Sequence, residues 1–152
     1  MNSEPVNAYK IYYGGIIMKE LVELNLPDDC RYSEDHEWAK MKGDNVRIGL
    51  SDYAQDQLGD IVYLELPQAG DTFEKDKEFG TVESVKAVSE MLMPLGGEVV
   101  DVNASIEDSP DLVNESPYDE GWLIEVKPGN LDEMETLLAN DEYLNFLKKE
   151  AD

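Results

Sequence analysis

The stretch GTVESVKAVSEMLMP, residues 80–94, sets one lysine, Lys86, among small and branched apolar residues. Glu83 precedes it by three positions and Glu90 follows it by four. A lysine in this setting is either one charge of a solvated surface or an amine held out for acylation. Other residues that commonly do chemistry are scarce. The chain has one histidine, His36, and one cysteine, Cys30, in 152 residues. A nucleophile–base pair would have to use His36, and metal sites are usually built from several His and Cys. No C-x-x-C, H-E-x-x-H or G-x-x-x-x-G-K-[ST] pattern occurs. These features argue against most hydrolase and metalloenzyme designs and fit a protein that binds or carries.

The elements that must position Lys86 can be read in two ways. Val82, Val85, Val88 and Met91-Leu92 recur every three to four residues, which is helical spacing. On such a helix Lys86 faces water, with Glu83 and Glu90 as ion-pair neighbours. Against this, Thr81, Val82, Val85 and Val88 are β-branched and suit strands. Gly80 and Pro94 also bound a segment that can fold as two arms around Val85-Lys86-Ala87. Pattern alone leans to the solvated helix and leaves both open.

Around it the chain reads as one mainly β domain, a size at which a proper core forms. HEWAKMKGDNVRIGL (36–50) predicts a hairpin turning at Gly43-Asp44-Asn45. SDYAQDQLG (51–59) predicts a short helix with Ser51 as cap, Asp52 at its positive end and Gly59 after its last turn. Strands are expected over 61–67, within 69–82, over 96–103 and over 122–128. A helical turn is expected near Ser109-Pro110. From Asn130 the spacing turns helical, with Asn130 and Glu133 set as a capping box and a break at Asn140-Asp141. Residues 1–20 are expected to form a mobile N-terminal tail. Their tyrosine- and glycine-rich run lacks the basic start and long apolar centre of a secretory signal.

The net charge is −23, from 12 basic and 35 acidic residues. Nucleic acids and anionic membranes are poor partners for such a surface, whereas basic faces of proteins are good ones. A lone cysteine gives no sign of an oxidising compartment. No apolar run approaches the roughly 20 residues that span a bilayer. A cytoplasmic monomer is the expectation.

FGTVESVKAVSE (79–90) resembles the lipoylation site of the glycine cleavage system H protein family. The likeness extends in order through RYSEDHEWAK (31–40), IGLSDYAQDQLGDIVYLELPQAGD (48–71), GGEVVDVN (96–103) and DLVNESPYDEGWLIEV (111–126). It covers about residues 21–150, the expected carrier domain including the C-terminal helices. The resemblance implies a lipoyl/biotinyl-type barrel-sandwich hybrid, with Lys86 at the exposed tip of a hairpin rather than on a helix. It implies lipoate joined to Lys86 as an amide, with Glu83 and Glu90 flanking the turn for recognition by a lipoate ligase or lipoyltransferase. It further implies a shuttle that makes no bonds itself. A pyridoxal-phosphate glycine decarboxylase loads the arm with an aminomethyl group. A tetrahydrofolate-dependent aminomethyltransferase unloads it, and a dihydrolipoamide dehydrogenase reoxidises it.

By the same resemblance, Asp35, His36 and Glu37 with Glu90 line a cleft for the loaded arm. Two departures from the family's usual residues stand out. Asp35 and Glu90 occupy positions where Ser or Thr and Asp are more common. Met91 to Met93 and Gly96-Gly97 replace polar residues and a Ser-Gly. The alternatives are an H-like carrier of another lipoate-dependent pathway and, from a different class, an acidic scaffold with an unmodified Lys86. Lipoyl domains of 2-oxoacid dehydrogenases lack the HEW and SPYDEGW segments, and biotin carriers flank their lysine with Met.

Overall fold

The computed structural model describes residues 12–13, 16–17 and 20–151. The tail expected over 1–20 falls largely outside them. What is described there is Tyr12–Tyr13 (β1) paired antiparallel with Ile16–Ile17 (β2). A 3-10 turn at Leu21–Glu23 leads to Arg31–Tyr32 (β3), Glu37–Lys42 (β4) and Asn45–Leu50 (β5). Asp52–Leu58 (α1) is followed by Ile61–Glu65 (β6), Thr72–Phe73 (β7), Glu78–Ser84 (β8), Val88–Leu92 (β9) and Gly97–Val102 (β10). Two one-turn helices, Ser105–Asp108 (α2) and Leu112–Glu115 (α3), precede Ile124–Pro128 (β11). A 3-10 segment, Leu131–Thr136, and the helix Asn140–Ala151 (α4) complete the order.

Period-two alternation builds the sheets. Val46, Ile48 and Leu50 point inward from β5, and Ile124 and Val126 from β11, all buried. The large sheet runs β3-β4-β5-β11-β10-β7 and the small one β6-β8-β9, each antiparallel throughout. Both contribute to one core, in which Val82 and Met91 of the small sheet join Ile48, Leu50, Val99 and Leu123. This is the barrel-sandwich arrangement expected. A second cluster, with Leu21, Cys30, Tyr32, Trp38, Tyr143 and Leu147, fastens α4 across β3 and β4. Burial, aided by Asp29, pushes the Cys30 thiol up to about 12, so it packs as an inert small hydrophobe. No helix among the described residues is long and apolar enough to cross a membrane.

Local signals mostly hold. The β4–β5 hairpin turns at Gly43, whose φ of 63° is left-handed. Ser51 caps α1 by accepting from the Ala54 amide, and Gly59 ends it at φ 78°. The helical spacing over 82–91 is overturned. Gly80 lies opposite Met91 and Val82 opposite Ser89, so the chain doubles back as a hairpin. Val85 and Val88 are 71% and 68% exposed while Val82 and Met91 are buried, so the apolar stripe is not one face. The capping box at Asn130 forms by half. Asn130 accepts from the Asp132 amide, but Glu133 reaches across to accept from the Gly96 amide (2.9 Å). Residues 131–136 are 3-10 rather than α, because Leu138 then pairs with Tyr32 as an extended bridge.

Trp38 anchors β4, one strand in from the edge of the large sheet. It is buried, donates Nε1–H to the Pro117 carbonyl (2.9 Å), and lies opposite Gly49. A Cβ on Gly49 would meet the indole ring at 2.6 Å. Gly49→Ala should therefore destabilise the fold by about 1–3 kcal/mol. The measurement is a lower urea midpoint with an unchanged slope; an unmoved midpoint would mean the ring has room to shift.

Candidate functional site

Lys86 stands at the tip of the β8–β9 hairpin, and the tip is held by one hydroxyl. Ser84 is buried, and its Oγ accepts from the amides of Lys86 (3.3 Å) and Ala87 (3.1 Å). The Ser84 amide donates to the Ala87 carbonyl (2.8 Å). On the other side, the Val85 amide donates to the Asp60 carbonyl (3.0 Å), tying the turn to the segment after α1. Val85, Lys86 and Ala87 are themselves exposed. The Lys86 side chain lies beside Gly59, where an added Cβ would come within 3.6 Å of Cε. Glycine is required there by its positive φ, and it also leaves the path beside the lysine open.

A cleft of about 280 Å³ opens beside the hairpin, between β4, α1 and β9. Asp35, His36, Glu37 and Glu90 all line it, together with Met91 and residues of α1. The four residues expected to form a cleft are thus brought together. Glu83 is not part of it; it is exposed in a cross-strand row with Tyr63 and Val88. Met91 is buried in the cleft wall, whereas Met93 is buried in the core away from it.

Glu37 is 2% exposed. Its Oε1 accepts from Ser33 Oγ (2.8 Å) and its Oε2 from the Leu92 amide of β9 (3.1 Å). Burial pushes its carboxyl up to about 8, although both hydrogen bonds favour the anion. Burial thus holds Glu37 toward its protonated form while its two hydrogen bonds pull toward the anion.

His36 adopts φ 78°, an uncommon conformation for a residue with a side chain. Two long-range contacts hold it. Its carbonyl accepts from the Ser51 amide (3.0 Å), and its Nδ1 lies 2.8 Å from Tyr143 Oη. Tyr143 Oη is also 2.8 Å from Ser51 Oγ, which already accepts from the Ala54 amide (3.1 Å). One proton arrangement satisfies all these buried groups. Ser51 donates to Tyr143, Tyr143 donates to His36 Nδ1, and the imidazole proton sits on Nε2. Burial pulls His36 down to about 4, against the opposing pull of Asp35, so the ring is neutral at pH 7. A neutral ring avoids placing a positive charge beside the carboxyls. The aromatic neighbours of its ring are Tyr143, Tyr53 and Phe146, with the Tyr53 ring centroid 4.8 Å away.

Gln57 of α1 escaped sequence reasoning. It lines the same cleft, and its Nε2 is buried with no hydrogen-bond partner among the described residues. SDYAQDQLG reads as a capped scaffold helix, and nothing in its pattern marks the amide. Tyr143 escaped in the same way, because it lies 107 positions from His36.

Two measurements follow from this electrostatics. The raised carboxyl of Glu37 contributes stability that is complete below about 4.5 and is lost as pH rises through about 8. His36 acts with the opposite sign, its contribution being complete above 6.5 and lost as pH falls toward about 4. Replacing Glu37 with Gln should therefore raise stability relative to wild type increasingly between pH 4.5 and 8, by on the order of a few kcal/mol at the alkaline end, read as a growing difference in Tm. A constant difference across that window would show Glu37 titrating as it does in solvent. For His36, the only imidazole in the chain, nitrogen NMR at pH 7 on untagged protein should find the proton on Nε2. Tyr143→Phe should release that preference.

Comparisons with known proteins bear on the family and the fold. The family described as "Glycine cleavage H-protein" matches residues 30–150. A glycine cleavage system H protein of Halalkalibacterium halodurans is 52% identical over 126 residues, covering 83% of this chain and 98% of that one. One from Bacillus licheniformis is 50% identical over 127 residues, covering 84% and 100%. The crystal structure of a glycine cleavage system H protein from Mycobacterium marinum superposes with a TM-score of 0.73 at 37% identity, covering 79% of this chain and 97% of that one. The chain belongs to the glycine cleavage H-protein family.

Proposed function

We propose that this protein is the lipoyl carrier of a glycine cleavage system, with lipoate amide-linked to Nζ of Lys86. The observation that carries this is the position of Lys86. In a chain of this family, it is exposed at a pinned hairpin tip beside a carboxyl-lined cleft. The surroundings fit the group. Leu50, Leu58, Val82 and Met91 give the cleft an apolar wall for methylenes, and Gln57, which lines it, has a buried amide nitrogen with no partner among the described residues. When bound, lipoate supplies a dithiolane that opens on reduction and takes up an aminomethyl unit.

The chain's own residues do the holding. The Ser84 turn offers the amine to a lipoate ligase or lipoyltransferase. Glu83 and Glu90 flank that turn and help the enzyme select it. Asp35, Glu37 and Glu90 receive the terminal ammonium of the loaded arm. Glu37 becomes ionised as the cation enters, because an opposite charge within a few ångströms favours the anion. Neutral His36 leaves that attraction unopposed.

The protein is a shuttle, not an enzyme. Its partners are the glycine decarboxylase, the aminomethyltransferase and the dihydrolipoamide dehydrogenase. It works in the cytoplasm, and its net charge of −23 suits basic docking faces on these enzymes. Tethering turns their encounters with the cargo into a local search at raised effective concentration.

Intact mass tests the attachment. Protein co-expressed with a lipoate ligase and lipoate should gain one lipoyl group, and Lys86→Arg should gain none. No gain in wild type, or an equal gain in the mutant, would remove the carrier reading. With purified decarboxylase and glycine, the lipoylated protein should then gain the aminomethyl group and lose it to the aminomethyltransferase with tetrahydrofolate. A protein that is lipoylated yet never loaded would belong to a different lipoate-dependent pathway.

A further inference from the structure

Gln57 is the residue of the cleft that the chain's own contacts leave incomplete. Its Nε2 is buried without a partner among the described residues. Its neighbour Gln55, by contrast, is fully engaged. Gln55 Nε2 donates to Asp52 Oδ1 (2.8 Å), and its Oε1 accepts from Asn114 Nδ2 (2.9 Å). A buried donor left unmade weakens a fold, so one on a residue that lines a cleft can be completed by an acceptor from outside the chain. The position of Gln57 narrows what that acceptor is. Two residues further along the same helix end comes Gly59, beside which the Lys86 side chain passes, with Cε 3.6 Å from where a Cβ would stand. The lysine therefore runs across the end of the helix that brings Gln57 to the cleft.

We infer that Gln57 Nε2–H donates to the carbonyl oxygen of the amide formed on Lys86. This rests on Lys86 being the acylated residue. A lipoyl arm carries one oxygen, that carbonyl; the rest is methylenes and two sulfurs, which accept hydrogen bonds weakly. The carbonyl is attached directly to Nζ, at the lysine end of the arm and nearest the helix. Beyond it the apolar wall of Leu50, Leu58, Val82 and Met91 suits the methylenes. One polar contact at the root and apolar contact further on fix the direction in which the arm enters, as polar groups do in predominantly apolar ligand sites. Gln57 is thus a positioning residue for the arm. It gives the modified state a hydrogen bond that the unmodified state lacks.

The test uses the full chain carrying octanoate on Lys86, attached by a lipoate ligase. Octanoate keeps the amide and the methylenes and has no dithiolane. Octanoylation of the wild type is expected to raise Tm by about 3 °C. The Gln57 side-chain NH₂ pair should shift in the NMR spectrum and exchange more slowly with solvent. Gln57→Met keeps the length and drops the donor. Its unmodified form should melt above the unmodified wild type, and its gain on octanoylation should fall well below that of the wild type. Equal gains in the two proteins, or a Gln57 amide pair unmoved by octanoylation of the wild type, would overturn the inference. Intact mass separates the levels of failure. No octanoyl gain on Lys86 refutes the carrier reading together with this contact, whereas a full gain with an unmoved Gln57 refutes the contact alone.

Discussion

Glu37 belongs to the large sheet, yet one of its oxygens takes a hydrogen bond from the Leu92 amide of the small one. That bond ties β9, and with it the lysine hairpin, to the start of β4, just after the turn that supplies Asp35 and His36. Burying a carboxyl here is costly in itself, as its raised proton affinity records. The cost is offset by two donors, Ser33 Oγ and the Leu92 amide, and by the core that closes over the junction. The same group that joins the sheets also lines the cleft. Joint and site therefore cannot be tuned separately, and a change that loosens one alters the charge of the other.

The surroundings of the cleft act together on its electrostatics. The chain is strongly acidic overall, but burial pushes two groups of the cleft toward their neutral forms, raising Glu37 and lowering His36. The helix α4 takes part through Tyr143. That tyrosine stacks on Tyr32 with ring centroids 4.6 Å apart and reaches both His36 and the cap of α1. The C-terminal helix thus braces two walls of the cleft by one hydroxyl.

Much of this was legible in the sequence wherever the determinants are local. Ser51, Gly59 and Gly43 announce the limits of a helix and a turn because caps and left-handed positions depend on a few adjacent residues. The lysine hairpin was not legible from periodicity. Val82, Val85, Val88 and Met91 have helical spacing by coincidence, and a turn at Lys86 leaves each arm with one buried residue far from the tip and one exposed residue beside it. The likeness of neighbouring motifs, not the local pattern, pointed to the hairpin. Glu133 illustrates a different failure. Its capping partner was three residues away, but the Gly96 amide, brought close by the fold, took its carboxylate instead. Tyr143 and Gln57 lay beyond reach altogether, because a hydrogen bond across the fold, or the lack of one, has no sequence spacing.

The Ser84 turn has a further consequence. Because its hydroxyl engages the amides on both sides of the tip, the backbone that bears Lys86 has little freedom left to lose. Each enzyme that meets this protein thus encounters an anchor already in its bound shape, and the ordering penalty of docking falls almost wholly on the flexible arm. Since that arm is common to every step, selectivity among the partners must arise on the rigid surface around the tip. The hairpin makes the carrier a fixed pivot, and the partners differ only in how they approach it.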